Sequence, residues 1–333
     1  MTQPTLTSGH FRRSALVSGG FVLALAAVNL LLFPPAQAGV VLLSGLYQGM
    51  LFFLVAAGLS IVFGLLDVLN LAQGSFFMLG AYAGFAVYGA LPEGLGGGLR
   101  FGLALLGGTL CGALLGALVE RGLIRPLYSR PVFQIVLTLG LGTVFTEIVR
   151  SIYGPAGLIP IPAPPLLDGA FPIFGATFEV YRMFIIAVGA VIMASVTLLL
   201  RRTRLGIVIR AGVQDREMVQ ALGIDIERIF TLVFALGCGL AALGGITAAP
   251  YLGAYPAMGD QFLLNAVIVV VLGGMSSFEG TAVASILVGL ARATAEQVSL
   301  QYLDSPVLAS VSILLIMIVV LLARPEGLFG ERT

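Results

Sequence analysis

The 333-residue chain has no lysine and no tryptophan, one histidine (His10), two cysteines and only 10% charged residues. Each shortage excludes something. A nucleotide-binding loop of the form G-x-x-x-x-G-K-[ST] needs a lysine, so this chain cannot hold ATP that way. With its one histidine in the N-terminal tail, the body of the chain has none for metal, proton-relay or triad chemistry. Cys111 and Cys238 each lie in an apolar, glycine-rich run, where they read as small packing residues rather than a disulfide or metal site. A net charge of +1 gives no electrostatic basis for nucleic acid binding. Soluble domains carry about 25% charged residues, so this chain is not one.

What remains is apolar: 59% of residues are hydrophobic and the mean hydropathy is +1.07. A bilayer-spanning helix takes about 20 apolar residues, so the expectation is an all-α integral membrane protein, a polytopic bundle of about 8–10 transmembrane segments. The 44 glycines fit close helix packing rather than disorder. Gly108, Gly112 and Gly116 fall on one helical face, and Gly237, Ala241 and Gly245 repeat the pattern, marking packing seams. Residues 1–38 form an N-terminal unit: Arg12 and Arg13, the apolar run Ala15 to Phe33, then Pro34-Pro35-Ala36-Gln37-Ala38. This reads as a retained helix, with a cleaved signal as the alternative. Residues 39–333 form the transmembrane domain, with a proline-rich, charge-poor external loop from Gly154 to Tyr181.

Two polar interruptions fall between apolar halves with too few residues for a true loop, at 67–75 and 273–280. Broken backbone at membrane depth is tolerated only when buried in protein or lining a cavity, and paired broken helices point to a substrate path. The candidate path residues are Asn70, Gln73, Gly74 and Ser75 in the first, and Gly273, Gly274, Ser276, Ser277 and Glu279 in the second, both approached from outside. Helix caps and interhelical hydrogen bonds are the other use for such residues. Glu147 and Arg150 are spaced to pair on a helix, and Glu147 or Glu279 would be the acids of an ion-coupled transporter or channel.

The charge that exists is concentrated. Arg201 to Phe230 holds six of the seventeen arginines. Assigning it to one side with Arg12, Arg13, the segment 120–131 and the C-terminal tail collects thirteen of the seventeen there. The remainder are Arg100, Arg150, Arg182 and Arg292. The positive-inside rule makes that side, C-terminus included, cytoplasmic. Within the loop 201–229, residues 213–222 have an amphipathic helical pattern ended by Gly223. Arg210, Gln214, Arg216, Glu217, Met218, Leu222 and Gly223 are the candidate contact residues for a cytoplasmic partner.

Several stretches, in order from about residue 43, resemble the permease subunits of branched-chain amino acid ABC transporters of the LivH type. They are Leu69-Asn70-Leu71-Ala72-Gln73-Gly74 with Met78-Leu79-Gly80-Ala81-Tyr82, Glu120-Arg121 with Arg125-Pro126-Leu127, and Arg204-Leu205-Gly206 through Ala221-Leu222-Gly223-Ile224. Val271-Leu272-Gly273-Gly274-Met275 and Arg324-Pro325-Glu326-Gly327-Leu328-Phe329-Gly330 complete the set. The chain departs from that family at Gln73, where members commonly carry histidine, and in the added run Ala15–Phe33. The resemblance implies a non-enzymatic permease in the cell inner membrane, paired with a second, LivM-type permease. Two cytoplasmic ATPases would spend ATP, with no cofactor on this chain, and an external solute-binding protein would deliver the substrate. The helix at 213–222 would then be the element that couples to an ATPase. Related permeases carry urea, short amides or other small polar solutes. A membrane enzyme finds no cluster of reactive side chains here.

Overall fold

The computed structural model describes residues 7–158, 161–173, 176–214, 216–275, 277–302 and 307–329. These residues form helices α1 (Thr7–Leu32), α2 (Pro35–Leu66), α3 (Gln73–Ala90), α4 (Gly97–Val119), α5 (Pro131–Tyr153), α6 (Val180–Arg202), α7 (Arg204–Gln214), α8 (Arg216–Ala221), α9 (Ile226–Leu252), α10 (Met258–Gly273), α11 (Phe278–Tyr302) and α12 (Val307–Ala323). The protein is an all-α polytopic membrane protein. Five helices among the described residues are long and apolar enough to cross a bilayer: α2, α4 with its extension to Leu127, α5, α6 and α9. A sixth is added if α10 and α11 count as one broken span. Those two meet at a bend of 119°, which makes them a hairpin rather than a kinked rod. The apolar stretches Gly19–Leu32 and Val311–Leu322 are shorter than a span, so by length and composition the described residues give five or six spans against the about 8–10 expected.

Burial sorts the helices into a centre and a rim. The most apolar stretch of α2 is 83% buried and that of α9 72%, against 28% for α4, 22% for α5 and 17% for α6. The rim helices show why. On α4, Leu106, Leu110, Leu114 and Leu118 stay exposed at four-residue spacing, a stripe suited to lipid. On its inner face, Gly108 lies against Gly80 of α3, Gly112 against Ala242 and Gly116 against Cys238 of α9. The expected seam is therefore a three-helix contact. A second seam joins α2 to α11, where Gly45 meets the backbone at Leu290 and Gly49 meets Ser285 and Ile286.

Helix ends follow local chemistry. Pro35 and Pro131 occupy first-turn positions of α2 and α5, where the missing N–H costs nothing. The Asp225 side chain caps α9 by accepting from the Arg228 backbone N–H at 3.2 Å. After α4 the chain widens into a π-turn at Glu120–Ile124 and then tightens into a 3₁₀ turn at Arg125–Leu127. The long segment between α5 and α6 is not all loop. Residues Ala170–Ile173 (β1) and Ala176–Glu179 (β2) form an antiparallel hairpin, and Leu158 N–H donates to the Ala254 carbonyl at 2.6 Å. Asn29 of α1 donates to Thr294 of α11 at 2.7 Å, which ties the first helix to the bundle.

Candidate functional site

The first interruption is a sealed knot of hydrogen bonds. α2 ends at Asp67, a non-glycine residue in the left-handed region with φ 53°. Ending one helix and starting another leaves orphan backbone groups, and the polar residues here serve them. Asn70 Oδ1 accepts from the Ala72 N–H at 3.1 Å, and its Nδ2 donates to Gln73 Oε1 at 3.1 Å and to Cys238 Sγ at 3.8 Å. Gln73 Nε2 donates to the Gly237 carbonyl of α9 at 2.8 Å. Leu71 N–H donates to Thr138 Oγ1 of α5 at 3.2 Å, and Ser75 Oγ donates to the Gly142 carbonyl at 3.3 Å. Asn70 and Gln73 are fully buried, and Gly74 is pressed against Gly259 of α10. In this conformation these residues pin α2, α3, α5 and α9 together rather than facing a cavity. Gln73→Ala should accordingly lower the thermal stability of the purified protein by about 1–3 kcal/mol, because Gly237 and Asn70 lose a buried partner. An unchanged melting temperature with reduced uptake would instead return Gln73 to the path.

The second interruption lies elsewhere from where it was expected. It is not at the end approached from outside but at the end that carries the arginine-rich loop. Glu279 pairs with Arg201 at the close of α6. Gly274, at φ 99°, turns the chain out of α10, and Ser277 Oγ accepts from the Gly280 N–H at 3.0 Å to start α11. The last α10 carbonyls are met by the tail: Leu328 N–H donates to Leu272 at 2.8 Å and Phe329 N–H to Gly273 at 3.1 Å. Gly273 also sits against the backbone of Gly280. Ser276 lies outside the described residues. The reason sequence misplaced this break is that its partners, Arg201 and residues 327–329, are distant in the chain. Neither acid considered for ion coupling is free, since Glu147 pairs with Arg150 at 2.5 Å and Glu279 with Arg201. The pocket lined by Ile61, Leu65, Val196, Leu199, Leu200, Ile209, Val233, Leu236 and Leu240 is wholly apolar and offers no polar route.

The loop at 201–229 is more helical than its sequence suggested. Within 213–222, α7 reaches Gln214 from its start at Arg204 and α8 covers Arg216–Ala221, with Asp215 outside the described residues. Thr203 is the missed start signal, its Oγ1 accepting from the Gly206 N–H at 3.2 Å. Gly223, at φ 81°, is the expected stop, with Ile224 N–H reaching back to the Val219 carbonyl at 3.3 Å. Arg210 donates to the Leu200 carbonyl, and Gly212 lies against Ile226, so α7 is strapped to both α6 and α9. Val219 is buried, whereas Leu205, Ile207, Met218 and Leu222 are exposed, Leu222 at 72%. The placements of Gln214, Arg216 and Glu217 are those of their helices.

Sequence reasoning missed the densest polar cluster. Glu120, in the π-turn, is completely buried. It accepts from Tyr128 Oη at 2.7 Å, from Thr231 Oγ1 at 2.6 Å and from Arg125, whose Nε is 3.4 Å away. Arg125 also reaches Glu227 at 3.0 Å and Thr231 at 2.8 Å. One carboxylate thus clamps the end of α4 to the first turns of α9, directly after α7 and α8. The Glu120-Arg121 and Arg125-Pro126-Leu127 segments stand out as a motif in the sequence, but nothing in their spacing shows the α9 partners.

Comparison with known proteins now decides the family. Residues 41–321 match the family described as "Branched-chain amino acid transport system / permease component". The chain belongs to this family. This permease is 27% identical over 297 residues to the Escherichia coli K12 high-affinity branched-chain amino acid transport system permease protein LivH, covering 86% of this chain and 94% of that one. It is 29% identical over 298 residues to BraD of Pseudomonas aeruginosa, covering 87% and 95%. It is also 28% identical over 271 residues to E. coli LivM, covering 73% of this chain and 61% of LivM. The permease is a transport component, not an enzyme.

Proposed function

We propose that this permease is one half of the membrane path of an ATP-driven importer of branched-chain amino acids. The family match from 41 to 321 carries the reading, and the surface of α7 and α8 supports it. A segment rich in arginine that keeps Leu205, Ile207 and Leu222 exposed is built to be covered by protein rather than lipid. The partners are two cytoplasmic ATPases seated on α7 and α8, a second, LivM-type permease, and an external solute-binding protein. This chain binds no cofactor; the ATPases spend ATP. The loop and the C-terminus face the cytosol. The bond from Asn29 of α1 to Thr294 supports a retained first helix rather than a cleaved signal.

The mechanical route follows from the contacts. ATPase closure displaces α7 and α8, which are strapped to α6 and α9, and the Glu120–Arg125–Glu227–Thr231 cluster passes the displacement to α4. Moving these helices against the second permease shifts the population between outward-open and inward-open states. Asn70, Gln73 and Ser75 act as the rigid pin about which the helices turn, and the substrate moves between the two permeases.

Reconstitution with the ATPases and binding protein in vesicles tests the reading. ATP-dependent uptake of leucine, isoleucine or valine is expected, and uptake of urea or short amides alone would overturn the substrate assignment. Reversing charge at Arg216 and Glu217 together should reduce ATPase co-purification by about tenfold, on the order of 1.4 kcal/mol, while membrane insertion stays normal. Undiminished co-purification would detach the ATPases from this loop.

A further inference from the structure

Three of the four arginines outside the basic segments are accounted for. Arg100 donates to the Tyr88 carbonyl at 2.9 Å and lies over its ring. Arg150 pairs with Glu147 at 2.5 Å. Arg182 pairs with Glu179 at 3.0 Å and donates to Tyr251 Oη at 2.8 Å. The fourth, Arg292 of α11, makes no hydrogen bond or ion pair among the described residues. Its Nε is buried without an acceptor, and its guanidinium lies 5.5 Å from the Phe52 ring. An ionised group in a helix bundle is costly and persists where it has a task.

The complementary orphan sits on the same patch. Gln48 of α2 donates its Nε2 to Glu296 at 3.0 Å, which leaves its Oε1 buried and without a donor. Glu296 is one helical turn beyond Arg292, a spacing of about 6 Å at which opposite charges ordinarily pair, yet these two do not. The patch therefore holds a donor lacking an acceptor, an acceptor lacking a donor, and two opposite charges held apart. Phe52 supplies an apolar floor and is itself 6.0 Å, ring to ring, from Phe262 of α10. Tyr255, hydrogen-bonded to Gln261 at 2.7 Å, faces the same guanidinium; burial raises its phenol pKa, and the Arg292 charge opposes the rise. The patch lies toward the end marked by Tyr47, Tyr251 and Arg182, opposite α7 and α8.

An α-amino acid satisfies every one of these groups. Its carboxylate accepts from Arg292 and its ammonium donates to Glu296 and Gln48 Oε1, while Phe52, buried beneath the guanidinium, holds Arg292 in place. Urea brings no charge to offset the guanidinium, and a simple anion leaves Gln48 and Glu296 unmet. We propose that Gln48, Phe52, Arg292 and Glu296 form the site where the permease takes the zwitterionic head of its amino acid. This rests on the importer reading above and adds to it a place and a recognition chemistry.

The test uses the assembled importer, purified in detergent without its binding protein and titrated with radiolabelled leucine. Leucinamide, which lacks the carboxylate, and the hydroxy acid analogue of leucine, which lacks the ammonium, serve as competitors. The unaltered importer should prefer leucine to both. Arg292→Gln should bind leucine about tenfold more weakly or worse and lose the preference over leucinamide. Glu296→Gln should lose the preference over the hydroxy acid. Glu296 is exposed, so that variant carries the test if Arg292→Gln does not assemble. Unchanged preferences in these variants overturn the site. So does a result in which Arg292→Gln loses only an anionic lipid, read by native mass spectrometry, or only its grip on the second permease. An importer that accumulates leucine with ATP but binds none without the binding protein sinks the site and spares the function. One that accumulates no amino acid sinks both.

Discussion

Glu120→Ala should destabilise the permease by about 3 kcal/mol, read as a lowered melting temperature of the purified protein. The carboxylate is wholly enclosed and holds Tyr128, Thr231 and Arg125 at once. Removing it takes a buried acceptor from the Tyr128 hydroxyl, leaves the Thr231 hydroxyl to the Glu227 carbonyl at 3.0 Å, and takes one of two carboxylates from a guanidinium that is only 29% exposed. Because Arg125 keeps Glu227, the cost falls at the low end for a broken buried pair. Glu120→Gln keeps the shape and one acceptor, so its cost should be about 1–2 kcal/mol. If the two substitutions cost the same, charge plays no part in the clamp. If neither costs anything, α4 and α9 are held by packing alone, and the proposed route from the ATPases to α4 fails with them.

Gly49→Val should be at least as damaging, about 3 kcal/mol or more, and should leave little monodisperse protein after extraction. An added Cβ would sit 2.7 Å from the Ser285 carbonyl oxygen and 3.0 Å from Ile286 Cα, both backbone atoms that cannot turn aside. The α2–α11 crossing must then open, and α2 is the most buried span. Gly102→Ala provides the control. Nothing lies within 4 Å of its added Cβ, so the change should be neutral or slightly stabilising through helix propensity. Equal behaviour of the two variants would mean that close approach at Gly49 does not set the helix spacing.

Sequence revealed what depends on neighbours along the chain. The apolar run ending at Leu66, the glycine face of α4, the stop at Gly223 and the Glu147–Arg150 pair all rest on spacings of one to a few residues, and all four are present in the fold. Sequence also set Arg100, Arg150, Arg182 and Arg292 apart from the basic segments, without distinguishing among them. What it could not show was which partner a polar residue takes across the bundle. Asn70 and Gln73 looked suited to a solute because they are polar at membrane depth. They turn out to be bonded to each other, to Cys238 and to Gly237, doing for the broken backbone what water would do outside. Glu279 looked like a path residue for the same reason and is held by Arg201. The start of α7 at Arg204 was hidden because Thr203 is a common residue whose capping role shows only in its hydrogen bond to Gly206.

The docking of residues 327–329 onto the end of α10 has a consequence for the order of assembly. Leu272 and Gly273 cannot hand their carbonyls to Leu328 and Phe329 until α12 has entered the bilayer and returned the chain to the same side. A nascent chain arrested partway through α12 would thus hold its α10–α11 turn open to water, and protease would cut there. Synthesis through Phe329 would close it, so this turn is sealed later than the bundle's centre.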